Sequence, residues 1–181
     1  MTPDYFLIIL LLSALSISAI IDFRCQKIPN LITFPTVILG LLYHFFTNGI
    51  DGLIFSALGL ITGIGLLIIP YLIGIMGAGD AKLMGAVGAI LGSKGVFVAF
   101  LLTAIIGGIY AIIMILLHQE KFKGFFTKQF ITLKLFVLTR KYIPDPVEEN
   151  KKKPKLYYGV AIALGTFIYM GLDLSGHHLI F

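Results

Sequence analysis

The stretch GAGDAKLMGAVGAILG, residues 77–92, sets one acid and one base among glycines and apolar residues. Its apolar part, 81–92, is short, and whether it crosses a bilayer decides the topology of the whole chain. Of the 181 residues 58% are hydrophobic, and the mean hydropathy is +0.99, too apolar for a soluble domain. Apolar runs fall at 5–23, 31–47, 52–76, 81–92, 96–117 and 156–174. All but 81–92 are long enough, with their flanks, to cross about 30 Å of hydrocarbon.

Charge settles the short run. Ten of the fourteen Lys and Arg residues lie between Lys121 and Lys155, and Arg24, Lys27 and Lys82 sit in two other connections. Cytoplasmic connections carry the basic excess, so 22–30, 77–82 and 118–155 are expected inside. The ends near Asp4, Asp51 and Asp173 are then outside. The connections alternate only if 81–92 crosses as well. The expected fold is therefore an all-α integral membrane protein of about six transmembrane helices, with both termini outside. It forms a single membrane-embedded domain over 1–181, with a basic cytoplasmic loop, 118–155, within it. The opening MTPDYFLIIL has no basic region before its apolar run, so the first segment is expected to stay as a helix rather than be cleaved.

Within the loop, residues 122–141 interleave Phe125, Phe126, Phe130, Leu133 and Phe136 with Lys123, Lys128, Lys134, Arg140 and Lys141. That pattern predicts an amphipathic helix in the cytoplasmic interface; a seventh buried span is the alternative, opposed by its internal lysines. The following IPDPVEENKKKPK, 143–155, predicts an irregular connection whose lysines face solvent or anionic lipid headgroups. A basic balance confined to connections gives no reason to expect nucleic acid as a partner. The single cysteine, Cys25, excludes an internal disulfide and a CxxC metal site. The one adjacent histidine pair, His177 and His178, lacks the ligand count for a metal, and no cofactor is expected.

The topology places Asp22 and Asp80 at the inner surface, and of the acids expected there only these two directly abut apolar helix ends. An ionisable group there is costly enough to suggest a role, usually with a partner. Two facing carboxyl groups do not both ionise easily, so one keeps a proton while the other is a base. Such a pair suits peptide hydrolysis: the base deprotonates water and the acid donates to the carbonyl oxygen. It equally suits proton or ion transport, and each acid could instead pair with Arg24 or Lys82. Gly77 and Gly79 are expected to supply positive φ and close approach at the turn before Asp80. Gly85, Gly88 and Gly92, with Ala81 and Ala89, form a small-residue stripe for helix packing.

Two motifs narrow these alternatives. GAGDAKLMGAVGAILG resembles the GxGD segment of the prepilin peptidases, a family of membrane aspartyl proteases also called type IV prepilin leader peptidases. DFRCQKIPN, residues 22–30, resembles that family's first aspartate motif, Asp-x-Arg followed by Ile-Pro-Asn. The resemblance implies that Asp22 and Asp80 are the catalytic pair, with Gly77 and Gly79 as the motif glycines and Arg24 and Lys82 as its basic positions. Pro29 and Asn30 match the Ile-Pro-Asn element and read physically as a turn and N-cap opening the second helix. LYYGVAIALG, 156–165, is similar to a Pro-Tyr-Gly stretch that begins the last helix of short members; Tyr158 and Gly159 match, and Tyr157 replaces the proline. No paired CxxC motifs are present, which implies a short form that lacks methyltransferase activity, as found with tight-adherence pili. The implied substrates are prepilins or pseudopilins of type IV pilus and protein secretion systems, cut at the cytoplasmic face of the bacterial inner membrane. A presenilin-like protease shares the GxGD logic, and a proton-coupled transporter is the rival outside the enzymes.

Overall fold

A computed structural model of the chain describes residues 5–25, 27–117 and 157–175. Among these residues there are four helices: α1 Tyr5–Cys25, α2 Asn30–Leu72, α3 Ala78–Leu117 and α4 Tyr158–Leu174. Four are found where about six were expected, because the runs 31–47 and 52–76 continue into one another as α2, and 81–92 and 96–117 as α3. Each does so through a single non-helical glycine, Gly49 and Gly92. The interfacial helix expected over 122–141, the segment 143–155 and the His177–His178 pair lie outside the described residues. The chain divides into two compact units, Met1–Gly108 with Tyr157–Phe181, and Ile109–Leu156. Of the second, only the last turns of α3 are described, with Ile109, Ile112, Ile113 and Leu116 exposed.

In the first unit, α1 buries Leu7, Leu11, Ala14, Leu15, Ser18 and Asp22. Their spacing of three and four residues makes one stripe along the helix, which packs on α4 and on α2. The outer residues Phe6, Ile9, Ile17, Ile20 and Phe23 are exposed, and an apolar outer face of that kind suits hydrocarbon rather than water. By length and composition α1, α2 and residues 78–114 of α3 are able to cross a membrane, with mean hydropathies of 2.5, 2.4 and 2.6. The 17-residue α4 is apolar but shorter. These features mark an all-helical membrane protein.

A straight helix of 43 residues would reach about 65 Å, twice the hydrocarbon thickness, but α2 is not straight. Gly49 has φ 62° and ψ −140°. On one side of it, a Cβ added at Gly40 would lie 3.2 Å from Ala89 O; on the other, a Cβ added at Gly59 would fall on the Gly88 carbonyl. Both arms therefore touch the same turn of α3, so α2 doubles back at Gly49. α3 does the same at Gly92, whose φ of 73° and ψ of 179° belong to a region open essentially to glycine alone. Beyond it, a Cβ at Gly95 would lie 3.1 Å from Tyr169 Oη near the end of α4, and one at Gly107 would lie 3.9 Å from Tyr158 Cε1 at its start. The Phe55 ring fills the space a Gly92 side chain would need, and a Cβ added at Gly59 would lie 2.8 Å from Gly92 Cα, so this glycine serves both the break and the packing stripe.

A helix break leaves the preceding carbonyls without partners, and in an apolar setting they must find donors. Two side chains of α2 supply them: Ser56 Oγ donates to Ala89 O at 2.6 Å, and His44 Nε2 lies 3.1 Å from Ile90 O. A carbonyl only accepts, so His44 carries its proton on Nε2. Gly88 lies backbone to backbone against Gly59, and Gly85 against Ile64 and Leu60, which is the close packing the small-residue stripe predicts. Gly88→Ala should therefore cost about 1–3 kcal/mol by forcing the helices apart. Gly65→Ala, with nothing near its added carbon, should be neutral or stabilising. Thermal unfolding in detergent compares the two.

Candidate active site

The site is built where two helices begin. α2 ends in a Schellman arrangement: Gly74, at φ 77°, donates from its N–H to Tyr71 O at 2.9 Å, and Ile75 N–H donates to Pro70 O at 3.0 Å. The left-handed residue of this turn is thus Gly74. Gly77 and Gly79, expected to take positive φ, do not. The reversal is complete before the chain reaches them. Their value lies elsewhere. A Cβ on Gly79 would lie 3.0 Å from Ile28 Cβ and 3.3 Å from Ile28 O, so this glycine lets the connection after α1 lie against the start of α3.

Gly77 precedes the first residue of α3, and Asp80 is the third residue of the helix. Asp80 Oδ2 accepts from Gly77 N–H at 2.9 Å, the back-reaching half of a capping box, in a first turn where negative charge is favoured by the helix dipole. Asp22 does the corresponding work for another helix. Its Oδ2 accepts from Gly159 N–H at 2.9 Å, so the last turn of α1 caps the start of α4. Both acids are buried, 6% exposed for Asp22 and 8% for Asp80. They are close enough to interact electrostatically. Among the described residues no hydrogen bond engages Oδ1 of Asp80.

Asp22, Lys27, Ile28, Gly77, Ala78, Gly79 and Asp80 line one cavity of about 250 Å³. Of the residues singled out from sequence, four are brought together here: Asp22, Asp80, Gly77 and Gly79. Tyr158 and Gly159 stand beside them, Gly159 through its bond to Asp22 and Tyr158 through its electrostatic interaction with Asp80. Tyr157, where proline was expected, packs on Phe23 with ring centroids 5.3 Å apart, so an aromatic contact between the end of α1 and the start of α4 replaces the rigid ring.

Neither aspartate pairs with Arg24 or Lys82 among the described residues. Arg24 is exposed in the last turn of α1. Lys82 Nζ donates instead to Asn30 Oδ1 at 2.9 Å and lies 5.3 Å above the Phe34 ring. Asn30 is therefore the first residue of α2 and not its N-cap. Pro29, in extended conformation at φ −71° and ψ 138°, takes that place without a side-chain bond, and the Asn30 amide ties the connection to α3. Lys27 and Ile28 line the cavity without having been singled out; Lys27 reads in sequence as one more inner-face basic residue. Three or more metal-ligating side chains do not gather anywhere among the described residues. Gly79→Ala should lower thermal stability by about 1 kcal/mol or more as Ile28 is displaced. Gly77→Ala, whose new carbon meets Asp80 Oδ2 at 3.4 Å in ordinary contact, should change it far less.

No curated protein and no solved structure is significantly similar to the chain. A sequence profile of the type IV leader peptidase family matches residues 9–112, more than half the chain, including both aspartates and all of the cavity lining. With its helical membrane fold and this match, the chain belongs to the type IV leader peptidase family, and so among the proteases.

Proposed function

We propose that the protein is an aspartic-type endopeptidase that removes the leader of type IV prepilin-like proteins at the cytoplasmic face of the bacterial inner membrane. The observation that carries this reading is the shared cavity: Asp22 and Asp80, far apart in sequence, line it together, each fastened by backbone N–H groups rather than by a cation. Fastening one side of a carboxyl group leaves the other for water. The ionised member takes a proton from water as it attacks the scissile carbonyl, and the protonated member donates to the oxygen where charge develops. Loss of either protonation state stops the reaction, so activity should fall on both sides of a pH maximum.

Six membrane passes follow if each arm of the doubled-back helices crosses, with α1 and α4 as the first and last. The motif aspartates, the 22–30 connection and the basic segment 118–155 then share the cytoplasmic side of a single membrane-embedded peptidase domain, in accord with the charge bias. A prepilin fits this placement because its short basic leader stays in the cytoplasm while its hydrophobic helix lies in lipid. Gly79 and the Lys82–Asn30 bond hold the two motifs in register, Pro29 starts α2, Gly159 receives Asp22 and Tyr158 stands near Asp80. Arg24, exposed in the last turn of α1, faces headgroups. Without paired CxxC motifs, the activity is cleavage without methylation.

Asp22→Asn and Asp80→Asn each keep an acceptor for the backbone N–H but lose the acid. Each should reduce cleavage of a pilin-like substrate by about 10³-fold or more while the protein still inserts and folds. The product mass after incubation with detergent-solubilised enzyme reads this directly. Substantial cleavage by either variant would remove that residue from the pair.

A further inference from the structure

Of the described residues that line the cavity, Lys27 alone is a cation. It is exposed, and among the described residues it makes no hydrogen bond and no ion pair, whereas Lys82 is bonded to Asn30. Its place in the chain is fixed all the same. The next residue, Ile28, is buried, and a Cβ added at Gly79 would lie 3.4 Å from Ile28 N, the nitrogen of the Lys27–Ile28 peptide. Lys27 is thereby anchored against the residue that precedes Asp80. A space of about 250 Å³ is narrow against the Debye length, about 8 Å at physiological salt, so a charge on one wall is felt at the others. An ammonium group on a flexible stem, tied to neither aspartate, is available to a ligand.

Peptide hydrolysis makes such a ligand. It adds the oxygen of water to the carbonyl carbon and both protons to the nitrogen as the C–N bond breaks, so the leader leaves as a carboxylate and the mature chain as an ammonium. The new ammonium is opposite in charge to the aspartates. The new carboxylate is alike in charge, and it adds a third carboxyl group to a space that already holds two. A cation on the wall offsets that crowding. We propose that Lys27 binds the C-terminal carboxylate of the cleaved leader through charge-assisted hydrogen bonds from its ammonium group. The ligand of this part of the cavity is thus a peptide carboxylate, and Lys27 is a product-binding residue that keeps it off the aspartates. The inference rests on the reading of Asp22 and Asp80 as the hydrolytic pair.

A synthetic prepilin leader ending at the cut, made once with a free C-terminal carboxylate and once with a C-terminal amide, differs only in the group that Lys27 binds. Binding of the two peptides to the full-length protein in detergent, read by fluorescence anisotropy, gives an acid-to-amide affinity ratio. That ratio should fall about fivefold or more in Lys27→Gln and be largely kept in Lys27→Arg. In wild type it should fall toward the Lys27→Gln value at about 1 M salt. A loss of folded protein changes neither dissociation constant, so the ratio reports the contact itself. The same ratio in Lys27→Gln as in wild type overturns the proposal, and so does a wild type that binds neither peptide. The binding measurement needs no turnover, so the two readings fail separately. If wild type cleaves no prepilin, or Asp22→Asn still cleaves, it is the aspartyl peptidase reading that falls.

Discussion

The bond from Gly159 N–H to Asp22 Oδ2 is the constraint on which the arrangement turns. It closes the bundle from the end of α1 to the start of α4, and it satisfies a backbone donor that the start of a helix always leaves open. Asp80 meets the same need at the start of its own helix. In both places the acid sits at the positive end of a helix dipole, held by a backbone N–H rather than by an ion pair among the described residues. That choice has a chemical consequence. An arginine or lysine partner would neutralise the carboxylate and occupy lone pairs that the backbone N–H leaves open.

Bringing the two acids together then depends on how closely the helices approach. Gly59 against Gly88, Gly40 against Ala89 and Gly63 against Met84 seat both arms of α2 on the first arm of α3. That seat sets the start of α2 beside the start of α3, where Lys82 reaches Asn30 and Gly79 lies on Ile28. The connection carrying Lys27 and Ile28 is thereby laid against residues 77–80, and the cavity is the space enclosed between them. Larger residues in the glycine stripe would open the distance between the two motifs without touching either aspartate.

Much of this was legible in the residues themselves. The apolar runs mark where helices lie, and the two aspartates stand out because no other acid expected on the inner face abuts a run. Other features depend on tertiary geometry. The run 52–76 gives no sign that α2 stops at Leu72, so the left-handed position falls at Gly74 and not at the glycines that flank Asp80. Continuity through Gly49 and Gly92 depends on helical hydrogen bonding resuming at once after one unusual residue, which hydropathy does not register. Asn30 has the composition of an N-cap, but Pro29 occupies that place and a lysine from α3 takes the amide. Lys27 looks like any inner-face basic residue until packing sets it beside the acids.

A single rule joins the polar residues at opposite ends of the bundle. A helix that begins in apolar surroundings presents N–H groups and calls for an acceptor; one that ends there presents carbonyls and calls for a donor. Where α3 and α4 begin, the residues supplied are aspartates. Where the first arm of α3 ends at Gly92, they are a serine and a histidine, bonded to Ala89 O and Ile90 O. The acids therefore gather at one end because two helices start there, and electrostatic contact between them follows from the topology. A fold that must cap adjacent helix starts in lipid with carboxyl groups already contains most of what an acid–base pair needs; what remains is a cavity that admits water.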